Sequence, residues 1–287
     1  MRDTTRLDYR KRILRVVEFI QDHLHDELDM ETLASVAAFS PYHWHRVYRG
    51  IAGETAAQTV RRLRLHHAAG SLVQTRNPIA AIARSAGYQS TAAFTRAFAN
   101  SYGITPAAYR EHGSLTALDS QPTAAGGEVS MTKHPVTIET LPGCTIAAIG
   151  HLGPYMNIGE SFEKLIVMTD AQSLLQAGAR TVAIYYDDPT AVPPDDLRSE
   201  AGIEVPADYD AKAPLRKISI EAGRHAVMHH KGPYAELETA YNWLFGTWLP
   251  ESGEEPANRP CFEFYLNDCK SLPPAEWLTD ICLPLKG

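Results

Sequence analysis

The sequence predicts two domains: an all-α unit made of two matching helical halves, then an α+β unit made of two matching β-α-β-β halves. Three observations predict it. The hydrophobic period changes from helical to strand-like near His134, the N-terminal third aligns with itself at a shift of 50, and the remainder aligns with itself at a shift of 79. A length of 287 residues suits two domains. A hydrophobic content of 44% with 21% charge excludes a disordered chain, a collagen and a coiled-coil rod.

Charge divides along the same line. Residues 1–112 carry 15 Lys and Arg against 10 Asp and Glu, a net of +5, whereas the remainder has a net of −12. The overall −7 therefore hides a basic unit beside an acidic one. The longest apolar runs, Ser35–Phe39 and Thr145–Gly150, fall far short of a membrane span, so no membrane partner is expected. The N-terminus lacks an apolar signal core, and four cysteines without a C-x-x-C pair fit a reduced compartment. A cytoplasmic location is the expectation.

The elements of the first domain (residues 1–112) follow in order. Ile13, Val16, Val17, Ile20 and Leu24 recur at helical spacing, followed by Leu33, Val36 and Ala37. Ser40-Pro41, Asn77-Pro78 and Thr105-Pro106 read as helix starts, with a small polar cap before a proline that needs no N–H. Gly87 marks a helix end. A shift of 50 superposes Ser40 on Ser90, Trp44 on Phe94, Arg46 on Arg96, Tyr48 on Phe98, Gly53 on Gly103 and Thr55 on Thr105. Trp44/Tyr48 and Phe94/Phe98 each form a buried stripe, and Arg46 and Arg96 point away from it. A connecting helix at about Ala56–Gln74 would set the two basic helices into successive DNA major grooves, about 34 Å apart. Solvated arginines on an ordinary bundle are the plainer alternative.

Residues 113–133 are small, polar and Gly-rich, and read as a flexible linker. The second domain (residues 134–287) opens with β-type runs: VTIETL, TIAAIG, TVAIYY, RKISI, HAVMHH and CFEFYLN. Helical stretches lie at about Glu160–Ala177 and Ala235–Leu249. The shift of 79 places Gly153-Pro154-Tyr155 on Gly232-Pro233-Tyr234, His151 on His230, Phe162 on Tyr241 and Leu165 on Leu244. Two such halves sharing a sheet make a pseudo-twofold unit with a cleft where they meet.

One carboxylate stands out in that symmetry. Alternation alone places Glu263, Tyr265 and Asn267 on the wet face of a strand. The partner strand points the other way: a shift of 79 sets Glu263 on Ile184, Cys261 on Val182 and Tyr265 on Tyr186, an apolar set. Glu263 is thus expected to face inward, where a charge needs a cation or hydrogen-bond donors.

Other polar clusters carry less. His43 and His45 are two apart, with no i,i+4 partner, and Cys144, Cys261, Cys269 and Cys282 lack ligand spacing, so no metal and no cofactor are expected. Asp187-Asp188 and Pro193–Asp196 read as turn chemistry. No nucleophile, base and orienting group fall together, so the chain is read as a non-enzyme.

DMETLASVAAFSPYHWHRVYRGIAGET, RRLRLHHAAGSL and NPIAAIARSAGYQSTAAFTRAFANSYGITPAAYR resemble the AraC/XylS-type DNA-binding domain over about residues 8–112. The resemblance implies a double helix-turn-helix of homeodomain-like units. It implies a first recognition helix at about Pro41–Gly50, presenting Tyr42, His43, His45 and Arg46 to DNA. The second, at about Thr91–Asn100, would present Thr91, Ala92 and Arg96. Arginine can fork to guanine O6 and N7, whereas Ala92, where relatives carry longer polar residues, can only touch a thymine methyl. Ser40 and Ser90 are the phosphate candidates.

Residues 134–287 resemble the GyrI-like effector-binding domain. The paired G-P-Y segments, the R-P-x-F-E-F-Y-L-N strand and the closing T-D-I-C-L-P-L carry the resemblance. It implies that Glu263 and Tyr265 meet a cationic or amphipathic small molecule. Tyr155, Tyr234, Trp243 and Trp277 are candidate aromatic walls, each worth about 0.5–2 kcal/mol to a cation. Each also fits a plain core role. Together the two resemblances imply a transcription regulator that binds double-stranded DNA, responds to a small effector in the manner of multidrug sensing, and contacts RNA polymerase. The rival readings are a small-molecule hydrolase using Glu263 and Tyr265, and a second domain that merely stabilises or recruits.

Overall fold

The computed structural model describes residues 2–24, 26, 28–112, 134–172, 174 and 178–287. The segment read as a linker, residues 113–133, lies outside them. Among the described residues seven helices form the first domain: α1 (Arg2–Asp22), α2 (Met30–Ala37), α3 (Trp44–Ala52), α4 (Ala56–Gln74), α5 (Ile79–Ser85), α6 (Thr91–Tyr102) and α7 (Pro106–His112). The repeat at 50 is structural. Trp44, Tyr48, Phe94 and Phe98 are all buried, and Gly53 and Gly103 close α3 and α6 in the left-handed region (φ 75° and 76°). Thr55 and Thr105 each accept from a backbone N–H of the following helix, Gln58 N and Ala108 N.

Two helix starts differ from expectation. α3 begins at Trp44, after a turn in which the Ser40 carbonyl accepts from His43 N and Trp44 N and its hydroxyl accepts from Tyr42 N (3.3 Å). α5 begins at Ile79 behind Pro78, with no side-chain cap from Asn77.

The second domain is one antiparallel sheet of eight strands: β1 (Val136–Leu141), β2 (Cys144–Leu152), β3 (Thr181–Tyr185), β4 (Arg198–Val205), β5 (Arg216–Ile220), β6 (Gly223–Lys231), β7 (Cys261–Tyr265) and β8 (Leu278–Pro284). Their order is β1-β6-β8-β7-β3-β4-β2-β5. Two of these strands, β4 and β8, are absent from the sequence-based set. α8 (Gly159–Ala171) packs against the sheet in the first half. In the second half α9 (Leu237–Trp243) runs through a π turn (Leu244–Trp248) into α10 (Leu249–Ser252).

The internal repeat changes register partway. β2 and β6 match at a shift of 79, but β3 and β7 match at 80. The second copy's helix contains the π turn, a winding that takes up one more residue per hydrogen-bonded turn. Glu263 therefore corresponds to Ala183, not Ile184, and Tyr265 to Tyr185, not Tyr186. The pairing of β3 with β7 shows the same thing, since Ala183 sits directly opposite Glu263 across the centre of the sheet. The pseudo-twofold axis passes between them. Val182, Ile184, Phe262 and Phe264 face the opposite side of the sheet and form a separate core.

The two domains share a core. Tyr9, Ile13, Val16, Ile20, Trp44, Val47 and Tyr48 belong to one continuous cluster with Met228, Trp243, Phe245, Leu249 and Leu283 of the second domain. Ion pairs rim it: Arg12 to Glu255 (2.8 Å) and Arg49 to Glu238 (3.4 Å). Each fully buried large apolar side chain contributes about 1.5–3 kcal/mol, against about 0–1 kcal/mol for an exposed ion pair. The apolar contact holds the domains together. The second helical half keeps its own core around Leu72, Ile82, Phe94, Phe98 and Tyr109.

Candidate effector cavity

Because β3 and β7 run side by side on the pseudo-twofold axis, their alternate residues meet on one face. Tyr185 and Tyr265 are equivalent, and their hydroxyls lie 2.9 Å apart. Tyr155 and Tyr234, equivalent residues in the short 3-10 turns after β2 and β6, stand beside them: Tyr155 edge-on to Tyr185 (4.7 Å between centroids), Tyr234 edge-on to Tyr265 (5.4 Å). Phe162 of α8 and Tyr241 of α9 complete the paired rings. Together they line a cavity of about 1120 Å³, large enough for an aromatic small molecule.

Two of the places where the halves differ are chemically linked. Where the first half has Ala183 the second has Glu263, and where the first has Phe162 the second has Tyr241. The two changes belong together. Tyr241 donates its hydroxyl to Glu263 Oε1 (2.9 Å), and Tyr265 donates to Oε2 (3.0 Å). With its proton so committed, Tyr265 accepts from Tyr185, which makes a donor chain ending on the carboxylate.

Glu263 is 1% exposed. Burial pushes its carboxyl up to about 7, against the pull of the Tyr241 and Tyr265 hydroxyls and the Arg46 charge. Burial also raises the phenols of Tyr185, Tyr241 and Tyr265 well above their ordinary value, so they stay protonated as donors. The neighbouring Cys261 thiol is pushed up to about 12 by burial and is not a nucleophile at neutral pH.

Of the six residues expected to bind an effector, Glu263, Tyr265, Tyr155 and Tyr234 line this cavity. Trp243 and Trp277 do not. Trp243 lies two positions beyond Tyr241 on α9, which turns it to the opposite side of the helix, into the shared core and edge-on to His134. Trp277 stands behind the wall, its indole N–H bonded to the Leu272 carbonyl and its ring against Tyr234 (4.5 Å). Sequence reasoning missed Tyr185, Phe162 and the hydroxyl of Tyr241. The last had a signal, a Phe-to-Tyr change at matched positions.

The residues expected to face DNA divide by helix. On α6 Thr91, Ala92 and Arg96 are exposed, and Ser90 caps the helix by accepting from Ala93 N (3.2 Å). In α3 and the turn before it, three residues lie against the second domain in this arrangement instead of facing outward. His43 is fully buried, bonded through Nε2 to the Arg259 carbonyl (2.8 Å) and stacked on Phe245; burial lowers its pKa to about 3. Ser40 donates to Asn258 Oδ1 (2.8 Å) rather than standing free for a phosphate. Arg46 lines the cavity, its guanidinium 4.6 Å from the Tyr241 ring centroid and bonded to the Asp187 carbonyl (3.0 Å). The cause is common to all three: this face of α3 packs on the second domain. His45 is half-buried, its pKa lowered to about 4 chiefly by burial, and Tyr42 is half-buried.

Among the described residues no cluster of His, Cys, Asp or Glu could hold a metal, and the cysteines are free thiols. No helix among them is long and apolar enough to cross a membrane.

Comparison with known proteins agrees with this architecture. Residues 134–286 match the model of the GyrI-like small molecule binding domain, and residues 33–112 match a helix-turn-helix domain model. The uncharacterised HTH-type transcriptional regulator YbfP of Bacillus subtilis is 35% identical over 102 residues, 36% of this chain and 35% of YbfP. Transcriptional regulator Rob of Salmonella typhimurium is 31% identical over 125 residues, 43% of each chain. The chain thus spans less than half of either regulator. A DNA gyrase inhibitor of Edwardsiella piscicida is 29% identical over 157 residues, 53% of this chain and 97% of the inhibitor. The chain belongs to the GyrI-like family and carries an AraC-type helix-turn-helix domain on the N-terminal side of its GyrI-like domain.

Proposed function

We propose that the chain is a DNA-binding transcription regulator whose second domain binds a small cationic or amphipathic aromatic effector on Glu263. The observation that carries the reading is a buried carboxylate among tyrosines at the wall of a large cavity, present in only one of two symmetric halves. An ionised carboxylate so placed is costly unless a positive group meets it, and ring faces around it attract the same ligand. The exposed face of α6 supports the DNA half of the proposal, since Arg96 and Thr91 stand free to enter a groove. The relatives named as transcriptional regulators support a regulatory role; RNA polymerase as the further partner and the cytoplasm as its place are part of the proposal.

Binding is favoured over turnover. The cavity supplies donors and a carboxylate, but Glu263 has two phenols on it and no nucleophile beside it. Fluorescence anisotropy on a duplex selected from a random pool, with and without a panel of aromatic cations, tests the proposal. A cation-dependent change in DNA affinity that Glu263→Gln abolishes is the expected result. DNA affinity indifferent to every cation would refute the sensor role.

A further inference from the structure

The cavity already holds a cation that the protein supplies from its other domain. α3 buries Trp44, Val47 and Tyr48 in the core that the two domains share, while His43, Arg46 and Gly50, one turn apart, form a second stripe against the π turn of the second domain. Two glycines let that contact close. A Cβ on Gly50 would collide with the Gly246 Cα, and one on Gly246 would fall 2.9 Å from the Gly50 Cα, so the helices meet backbone to backbone. This places the Arg46 guanidinium over Tyr241 (4.6 Å) and near Phe245 (5.7 Å). Tyr241 thus offers its ring face to Arg46 and its hydroxyl to Glu263.

We propose that Arg46 is a tethered occupant of the effector cavity, displaced by a cationic effector, and that its displacement undocks α3 and frees the face of that helix for DNA. The inference rests on the effector class proposed above. A cation entering beside Glu263 meets a second positive charge in a poorly screened cavity and competes for the face of Tyr241. The effector therefore binds the undocked form better than the docked one, and that difference is what shifts the equilibrium. Linkage makes the effect mutual: DNA that captures α3 vacates the cavity and tightens effector binding. The route runs through α3 itself, independent of residues 113–133.

The test uses the full chain and tetraphenylphosphonium, with tetraphenylborate as its anionic counterpart of similar shape. Calorimetry should show Arg46→Gln binding the cation about tenfold more tightly than the unaltered protein, and hydrogen exchange should show faster exchange over residues 44–52 when the unaltered protein is saturated with the cation. Unchanged or weaker cation binding by a folded Arg46→Gln, or tetraphenylborate bound in its place and lost on that substitution, would overturn the displacement. Unchanged exchange in α3 would do the same, and it needs no variant should Arg46→Gln fail to fold. Failure of the underlying reading looks different: the unaltered protein and Glu263→Gln would then be equally indifferent to tetraphenylphosphonium.

Discussion

Replacing Glu263 by Gln should make the ligand-free protein less stable at pH 4 and more stable at pH 8. The folded-state carboxyl sits at about 7, chiefly through burial, against an ordinary value of 4.5. Between those values the folded protein keeps a proton that the unfolded chain has lost, so stability falls as pH rises. The contribution is complete below the unfolded value and lost by the time pH passes about 7. A difference of roughly 2.5 pKa units corresponds to about 3 kcal/mol. Glutamine removes the titration but mispairs one of the two phenols, since its amide nitrogen cannot accept from Tyr241 or Tyr265; that costs about 1 kcal/mol. The variant should therefore be about 1 kcal/mol less stable at pH 4, where the contribution is nearly complete, and about 2 kcal/mol more stable at pH 8. Urea unfolding of both proteins at the two pH values measures this, and groups common to both cancel in the difference. A variant-minus-parent difference that is the same at pH 4 and pH 8 would refute the reasoning.

Further outcomes follow from the same geometry. Tyr241→Phe removes a hydrogen bond to Glu263 Oε1 and should move the carboxyl above its present value of about 7, read from its carboxylate infrared band against pH; an unmoved band would deny the bond its role. Arg96→Ala, on an exposed face of α6, should weaken binding to a selected duplex by about 1–3 kcal/mol and relax its sequence preference, and unchanged affinity would remove α6 as a reader. Gly246→Val drives a side chain into the Gly50 backbone and should cost about 1–3 kcal/mol while speeding hydrogen exchange in α3; full protection of α3 would show that the docking does not depend on this close approach.

The helical half was legible because its signals are local. The capping residues Thr55 and Thr105, the left-handed Gly53 and Gly103 and the Trp44/Tyr48 and Phe94/Phe98 stripes act within one or two turns. Glu263 was legible through symmetry, although counting at a constant shift set it against Ile184 instead of Ala183. Its inward direction survived the error because the counterpart is hydrocarbon in either register. Trp243 misled because chemistry was read without helical phase: two positions from Tyr241 is the wrong side of α9. The docking of α3 was not legible. An arginine on a basic helix face has the same local signature whether it enters a groove or a cavity, and Gly50 with Gly246 shows as a contact only in three dimensions.

The claim on which the account turns is that an effector cation meets the Glu263 carboxyl. Calorimetric titration of tetraphenylphosphonium at pH 7, repeated in buffers of different ionisation enthalpy, counts the protons that binding releases. With the carboxyl at about 7, one bound cation should expel about half a proton from the unaltered protein and none from Glu263→Gln, which should also bind at least about tenfold more weakly. Equal affinity in the two proteins, with no proton released by either, would contradict it.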